Sequence, residues 1–212
     1  MLAVMTPEKV TTAPLPYLLL KPDAGTNVPL VLFLHGSGER GDDLVHVGDE
    51  GLPGILANAP EAFIVAPQCP KDTRWTDHLE ALENILDEII ARYSIDKSRV
   101  YLTGLSLGGQ GAWFLAARAP ERFAALVPVC GRSNPEAADR IKLPTWVFHG
   151  ADDPTVPLKE SEKMVRAVGG AGGNVKLTVY PRTGHDSWTR AYGEPELYTW
   201  LFAQRRAGQA GT

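Results

Sequence analysis

The sequence has few cysteines, no long apolar run and no excess of positive charge. Its 212 residues include two cysteines, Cys69 and Cys130, and neither belongs to a group with zinc-ligand spacing. No apolar stretch reaches the roughly 18 residues that span a bilayer. A formal net charge of −4 argues against nucleic-acid binding, which usually requires a basic surface. We therefore expect two buried free thiols, no metal site, no membrane span and no nucleic-acid partner.

The two ends of the chain carry little patterned sequence. The first residues, MLAVMTPEKVTTAP, lack the basic and long apolar regions of a signal peptide, which favours a cytoplasmic protein unless a leader has been removed. No Pro- or Gly-rich linker divides the chain, so we expect a single domain over residues 1–212. The small, polar ending RRAGQAGT predicts a flexible tail over about residues 205–212.

Apolar segments of two kinds alternate along the chain. VPLVLFLHG is continuously apolar, as in a parallel strand covered on both faces. TDHLEALENILDEIIARYSI has apolar residues at helical spacing. The predicted strands cover residues 15–21, 28–36, 62–68, 99–104, 123–131, 144–150 and 175–181, and the predicted helices cover 76–95, 108–120, 157–173 and 194–206. This alternation predicts a doubly wound, mostly parallel α/β sheet, in which ligands bind beyond the carboxyl ends of the strands.

A glycine-rich turn follows one of these strands. Gly104 and Gly108 flank Ser106 in a G-x-S-x-G motif that lies between a predicted strand and a predicted helix. A sharp strand-to-helix turn strains the serine backbone and brings its neighbours close to adjacent chain, where a Cβ would clash. A purely structural turn is the alternative. The context favours Ser106 as a nucleophile.

A serine hydroxyl needs a base, and the base needs an acid to orient it. In this architecture the order along the chain is serine, acid, histidine. His185 follows the last strand and has acids before it, whereas His149 precedes the best acid and is interpreted as a hydrogen-bonded histidine at a strand end. Only Asp152 and Asp153 directly follow a strand between Ser106 and His185, and we favour Asp153.

The remaining requirement is a pair of N–H donors for an oxyanion. The N–H of Leu107, which follows the nucleophile, is the first candidate. The glycine-rich loop FLHGSGERG offers the second, assigned to Ser37 with Gly38 as the alternate. His35 is interpreted as a buried organiser of that loop, and Glu39 and Arg40 either pair to brace it or stay solvated. Trp75 and Trp188, in predicted loops, either bind substrate or cover the core.

These motifs resemble those of the α/β-hydrolase superfamily. LHGSGERG, GLSLGGQGAW, FHGADDPTVP and GHDSW look like the segments of compact serine carboxylesterases related to dienelactone hydrolases, acyl-protein thioesterases and polyhydroxybutyrate-depolymerase-like esterases. The family pattern H-G-x-x-D-x-x-V-P places its acid on Asp153. The resemblance implies an α/β-hydrolase fold with a minimal lid or none, and no cofactor. Dienelactone hydrolases proper have a cysteine nucleophile, so that activity is not carried over to Ser106.

The resemblance further implies a carboxylic ester hydrolase acting on a small-molecule ester. Without a lid, we expect short-chain or phenolic esters. A polyester depolymerase and a feruloyl esterase are alternatives, and an inactive hydrolase fold that serves as a binding module is an alternative of another class. A peptidase of the prolyl-oligopeptidase type normally carries a propeller domain, which is absent from this sequence. The family's strand order separates Cys69 from Cys130 by about three strand spacings, too far for a disulfide.

Overall fold

Eight strands form one mixed sheet. The computed structural model describes residues 7–22 and 25–206. The strands are β1 (Glu8–Val10), β2 (Tyr17–Leu20), β3 (Val28–Leu34), β4 (Phe63–Pro67), β5 (Ile95–Leu105), β6 (Ala125–Val129), β7 (Thr145–Gly150) and β8 (Val175–Tyr180). Their spatial order is β1-β2-β4-β3-β5-β6-β7-β8. β2 pairs antiparallel with β1 and β4, and all the other pairs are parallel.

Helices cover both faces of this sheet. They are α1 (Leu52–Asn58), α2 (Leu79–Arg92), α3 (Leu107–Arg118), α4 (Lys159–Gly170), α5 (Trp188–Gly193) and α6 (Pro195–Ala203). One hydrophobic core contains residues of α2, α3 and α4, among them Leu86, Leu115 and Met164. The core on the other face contains residues of α1 and α6, among them Ile55 and Leu201. The central strands are buried on both faces, which explains their continuous apolar runs. The predicted α/β-hydrolase fold with a mostly parallel, doubly wound sheet is confirmed.

The topology brings four loops to one edge of the sheet. Because β3, β5, β7 and β8 are parallel, the segments that follow them leave the sheet at the same end. Ser37, Ser106, Asp153 and His185 lie on these four segments. None of the helices in the described residues is long and apolar enough to cross a membrane.

The C-terminal segment differs in part from the predicted tail. Arg205 contacts Asp96 at 3.1 Å, and the Arg206 N–H donates to the Ser98 carbonyl at 3.0 Å. These two residues are therefore attached to the start of β5. The rest of the predicted tail, residues 207–212, lies outside the described residues.

Candidate active site

Ser106 lies on a strained turn between β5 and α3. Its φ of 52° and ψ of −112° fall outside the regions that L-residues normally occupy, at a cost of about 1–3 kcal/mol. Its backbone N–H donates to the Val129 carbonyl, which fixes the turn against β6. A Cβ at Gly108 would overlap the Leu34 carbonyl, and one at Gly104 would overlap the Gly108 carbonyl. The glycines therefore allow the approach that holds Ser106 at the sheet edge.

Ser106, His185 and Asp153 form a hydrogen-bonded row. The Ser106 Oγ lies 2.8 Å from His185 Nε2, and His185 Nδ1 lies 2.7 Å from Asp153 Oδ2. The His185 side chain is 21% exposed, whereas that of Asp153 is fully buried. A hydroxyl in this arrangement can pass its proton to the imidazole as it attacks, while the carboxylate orients the ring and stabilises its charged form. The structure thus brings together the three residues selected from the sequence.

Asp153 is held as a carboxylate by three hydrogen bonds. Its Oδ1 accepts the backbone N–H groups of Thr155 and Val156, both at 2.9 Å. Burial by itself would raise the pKa of Asp153, but the hydrogen bonds from His185, Val156 and Thr155 outweigh it and lower this pKa below its ordinary value. The neighbouring Asp152 is exposed, and its backbone N–H donates to the Thr183 carbonyl. Of the two candidate acids, the structure places only Asp153 against His185.

The loop after β3 is organised from below by His35. This ring is fully buried, its Nε2 accepts the Cys69 N–H at 3.0 Å, and its Nδ1 lies 2.6 Å from the Gly36 carbonyl. Ser37, one residue further, lines the cleft beside Ser106, and so does Leu107. The structure therefore places both predicted oxyanion donors at the same cleft. His35 is buried and bonded to the loop backbone, as expected of a residue that organises this loop.

Glu39 and Arg40 do not pair with each other in the described structure. Arg40 instead donates to the Ser37 carbonyl at 3.1 Å and to the Thr73 carbonyl at 3.0 Å. Glu39 is buried and turns inward, with its Oε2 3.6 Å from His35 Nδ1. Neither of the two alternatives for this pair, a brace or a solvated pair, is seen in the described residues, because Glu39 is buried and Arg40 binds two backbone carbonyls.

The two tryptophans differ in their position relative to the site. Trp75 is 1% exposed and donates its Nε1–H to the His35 carbonyl at 3.0 Å, so it supports the loop from within the core. Trp188 begins α5 rather than lying in a loop, and its Nε1–H donates to Glu50. Its ring meets the His185 ring edge-to-face at 5.3 Å. Neither tryptophan is among the described residues that line the cleft. Trp75 covers the core, whereas a substrate-binding role for Trp188, whose ring contacts His185, stays a prediction.

The cleft beside Ser106 is small and positively charged. Its volume is about 220 Å³. Arg40, Arg74 and Arg132 line it together with Gln110, and no described acidic side chain does. Within the described residues, none of these three arginines forms an ion pair with a carboxylate. The cleft therefore attracts negative charge.

Cys130 lies beside the row but is poorly suited to bind a metal. Its Sγ and one ligand atom each of Asp153 and His185 lie within 4.8 Å of one another. Burial raises the pKa of the Cys130 thiol to about 12, so the thiolate that a metal requires is disfavoured. The pairing of Asp153 with His185 already occupies the other two groups. The prediction of two buried free thiols is confirmed.

Sequence reasoning missed several residues of the cleft. Arg132 is the third residue after β6, as Asp153 is the third after β7, so the rule that located Asp153 beyond a strand could have identified it. Gln110 lies in the first turn of α3, four residues after Ser106. On a helix, residues four apart share a face, and this spacing was the signal that could have identified it. Arg74 belongs to an irregular segment after β4 and carried no recognisable pattern.

Comparisons with known proteins find similarity to several proteins that are named as ester-hydrolysing enzymes. It is 33% identical to a thermostable esterase of known structure, with a TM-score of 0.84 over 97% of this chain and 64% of that one. It is 28% identical to the bifunctional acetylxylan esterase/xylanase XynS20E of Neocallimastix patriciarum, over 66% of this chain and 21% of that protein. It is 32% identical to poly(3-hydroxyalkanoate) depolymerase C of Paucimonas lemoignei, over 59% of this chain and 33% of that protein.

The chain thus matches a third or less of the length of these two curated relatives. A model of the dienelactone hydrolase family matches residues 62–195, which include Ser106, Asp153 and His185 and amount to more than half of the chain. With the sheet order and the position of the nucleophile turn described above, this match shows that the chain belongs to the dienelactone hydrolase family.

Proposed function

We propose that the protein is a serine carboxylesterase that hydrolyses short-chain or phenolic esters through an acyl-enzyme. The observation that carries this proposal is the row from Ser106 through His185 to Asp153, with hydrogen bonds of 2.8 and 2.7 Å, at the mouth of a cleft. The names of the esterase and acetylxylan esterase relatives support the same reaction class.

The reaction proceeds in two halves. Ser106 Oγ attacks the ester carbonyl carbon while His185 Nε2 accepts its proton, and the carbonyl oxygen becomes an oxyanion that the N–H groups of Leu107 and Ser37 stabilise. His185 then gives the proton to the leaving alcohol, and the acyl group stays on Ser106. In the second half His185 removes a proton from water, the hydroxide attacks the acyl-enzyme, and the carboxylic acid leaves as Ser106 regains its proton.

The cleft restricts the substrate by size and by charge. A volume of about 220 Å³ suits a short acyl or a single-ring group better than a long alkyl chain. The guanidinium groups of Arg40, Arg74 and Arg132 favour esters that carry oxygen-rich or anionic substituents near the scissile bond. An ester of a small acid with a polar or phenolic alcohol therefore fits best.

Polymer-bound esters are the second candidate substrate class. The names of two relatives, an acetylxylan esterase and a poly(3-hydroxyalkanoate) depolymerase, refer to esters within polymers. The cleft lies in an open position at the sheet edge, where an acetylated oligosaccharide or a hydroxyalkanoate oligomer can approach. A substrate panel therefore includes both oligomers beside p-nitrophenyl esters from acetate to long acyl chains.

Substitution of the nucleophile tests the proposal. Ser106→Ala is expected to lower kcat by about 10⁴-fold or more, because the attacking oxygen is removed. The matched control is Ser94→Ala, an exposed serine at the opposite end of the sheet, which is expected to keep wild-type rates. A fluorophosphonate probe is expected to label the wild type and the control but not Ser106→Ala. Near-normal turnover by Ser106→Ala would contradict the proposed mechanism.

A further inference from the structure

His149 lies behind the row of Ser106, His185 and Asp153. It occupies the carboxyl end of β7, four residues before Asp153, and its ring is fully buried. It does not line the cleft, so it cannot meet substrate directly. A buried polar ring in such a place needs partners for both nitrogens.

Both ring nitrogens of His149 are held. Nδ1 lies 2.7 Å from the Ser161 hydroxyl, which is buried on α4, and Nε2 lies 2.8 Å from the Val156 carbonyl. A carbonyl oxygen only accepts hydrogen bonds, so Nε2 carries a hydrogen. The two contacts fix the plane of the ring between the acid loop and α4.

The Nε2 atom of His149 also lies close to the acid. It is 3.3 Å from Asp153 Oδ2, the oxygen that accepts the hydrogen bond from His185, while its N–H is directed at the Val156 carbonyl. The other oxygen, Oδ1, accepts the N–H of Val156, whose carbonyl is bound by His149. Val156 thus closes a ring of contacts that joins the acid, its loop and the end of β7.

We propose that His149 is a positioning residue: its ring, anchored at Nδ1 by Ser161, holds the Asp153 loop through the Val156 carbonyl and places a polar Nε2–H beside Oδ2, where it offsets part of the negative charge. The inference rests on the proposed function, because it acts through the pair of Asp153 and His185. Oδ2 is faced by His185 from the last loop and by His149 from β7, and the Cys130 sulfur lies within 4.8 Å of a carboxylate oxygen of Asp153. Without the His149 N–H, the carboxylate charge is less compensated and stabilises a protonated His185 more strongly.

The proposal predicts a change in the pH profile. Because the base must be neutral to act, firmer protonation of His185 moves the acid limb of kcat/KM to higher pH. In His149→Phe, which keeps a planar ring but no N–H, we expect this displacement together with a loss of about 10- to 100-fold in kcat from misplacement of the acid. In His149→Gln, whose side-chain NH₂ can stand near the lost Nε2–H, we expect partial rescue of both.

Two further variants make the test independent of one substitution. Ser161→Ala keeps the imidazole but removes the hydroxyl that contacts its Nδ1. We expect a smaller displacement of the acid limb in the same direction. This variant tests the proposal even where His149→Phe does not fold. Thr145→Val is the matched control, since Thr145 is a buried residue of β7 whose hydroxyl donates only to the Leu143 carbonyl at 3.0 Å. It is expected to lower the unfolding midpoint and to keep the wild-type acid limb.

The outcomes separate this inference from the proposed function. An active wild type whose acid limb is unchanged in His149→Phe and Ser161→Ala would overturn the positioning role alone. Equal behaviour of His149→Gln and His149→Phe, without any displacement of the limb, would assign His149 to packing and overturn it as well. A wild type without esterase activity, unlabelled at Ser106, would overturn the proposed function and the inference with it.

Discussion

At the residue scale, the tightest constraint on the site is the space beside Gly108. The carbonyl of Leu34 occupies the place that a Cβ of residue 108 would take. The sheet fixes the backbone at Leu34, and α3 fixes the backbone at Gly108. Relief would require β3 and α3 to separate, which would also displace Ser106. Stability and catalysis therefore depend on the same missing side chain.

Gly108→Ala is expected to destabilise the fold by about 3 kcal/mol or more, since overpacking against backbone cannot relax through a rotamer change. The matched control is Gly170→Ala at the end of α4, where no heavy atom lies within 4 Å of a new Cβ. That control is expected to be neutral or to stabilise by up to about 1 kcal/mol. Thermal unfolding and esterase rates measured on both variants check the prediction. Equal midpoints for the two variants would contradict it.

The residues of the row could be predicted because each one follows a strand in a recognisable order. Ser106, Asp153 and His185 needed only strand ends and chain order. The roles of Trp75 and His149 could not be derived in that way. Trp75 is drawn into the core by a hydrogen bond to His35, and His149 meets Asp153 only because the turn after β7 folds back through Val156. Such contacts depend on loop geometry, which has no period in the sequence.

At the element scale, the same division applies to helices and strands. The seven predicted strands and four predicted helices are present, and most of them bury a continuous apolar run or a regular apolar face. The edge strand β8 is the exception, since it buries only Tyr180 and partly buries Val175 and Leu177. β1 has three residues, and α1 contains Pro53 and Gly54 within seven residues. α1 is stabilised by contact with α5, where Asn58 donates to the Tyr192 carbonyl. Short elements held by tertiary contacts leave no pattern that propensity can detect.

Asp96 joins the start of β5 to the C-terminal segment. It accepts hydrogen bonds from Ser98 at 2.6 Å and Arg99 at 2.7 Å, and it contacts Arg205 at 3.1 Å. Burial opposes ionisation, but the hydrogen bonds from Ser98 and Arg99 outweigh it and lower the pKa of Asp96 to about 2. A folded-state pKa below the unfolded one contributes stability above the unfolded pKa of about 3.9, and this stability is lost as pH falls toward 2.

Asp96→Asn is therefore expected to destabilise the protein by about 1 kcal/mol at neutral pH, discounted because the network is partly exposed. The difference from the wild type is expected to shrink below pH 4 and to vanish near pH 2. Urea unfolding at several pH values measures it. The control is Asp42→Asn, an exposed carboxylate elsewhere, which should show little difference at any pH. A pH-independent difference for Asp96→Asn would refute the assignment.

At the scale of the whole molecule, the charge of the cleft is opposite in sign to the net charge of the chain. The chain carries a net charge of −4, yet Arg40, Arg74 and Arg132 line the cleft. A negatively charged protein repels anionic esters at long range, whereas the cleft attracts them at short range, where screening by salt is weaker. Discrimination between substrates is therefore expected inside the cleft and not in the approach to it.

A pair of phenyl esters of equal acyl length, a butyrate and a hemisuccinate, tests this distribution. Arg132→Gln is expected to raise KM for the hemisuccinate about tenfold, the loss of one charge-assisted hydrogen bond, and to leave KM for the butyrate nearly unchanged. Arg166→Gln, an exposed arginine on α4 away from the cleft, is the control and is expected to affect neither. Equal changes for both esters would remove the arginines from substrate recognition.

The position of His185 has a consequence for any form of the protein that is incompletely assembled. His185 is 79 residues from Ser106 along the chain and follows β8, the last strand at the edge of the sheet. A chain whose central strands have formed but whose edge strand has not joined them has its serine in place and no partner for it. The proposed ester turnover therefore reports only fully folded molecules, whereas spectroscopic signals from helices and strands report the partly folded ones as well.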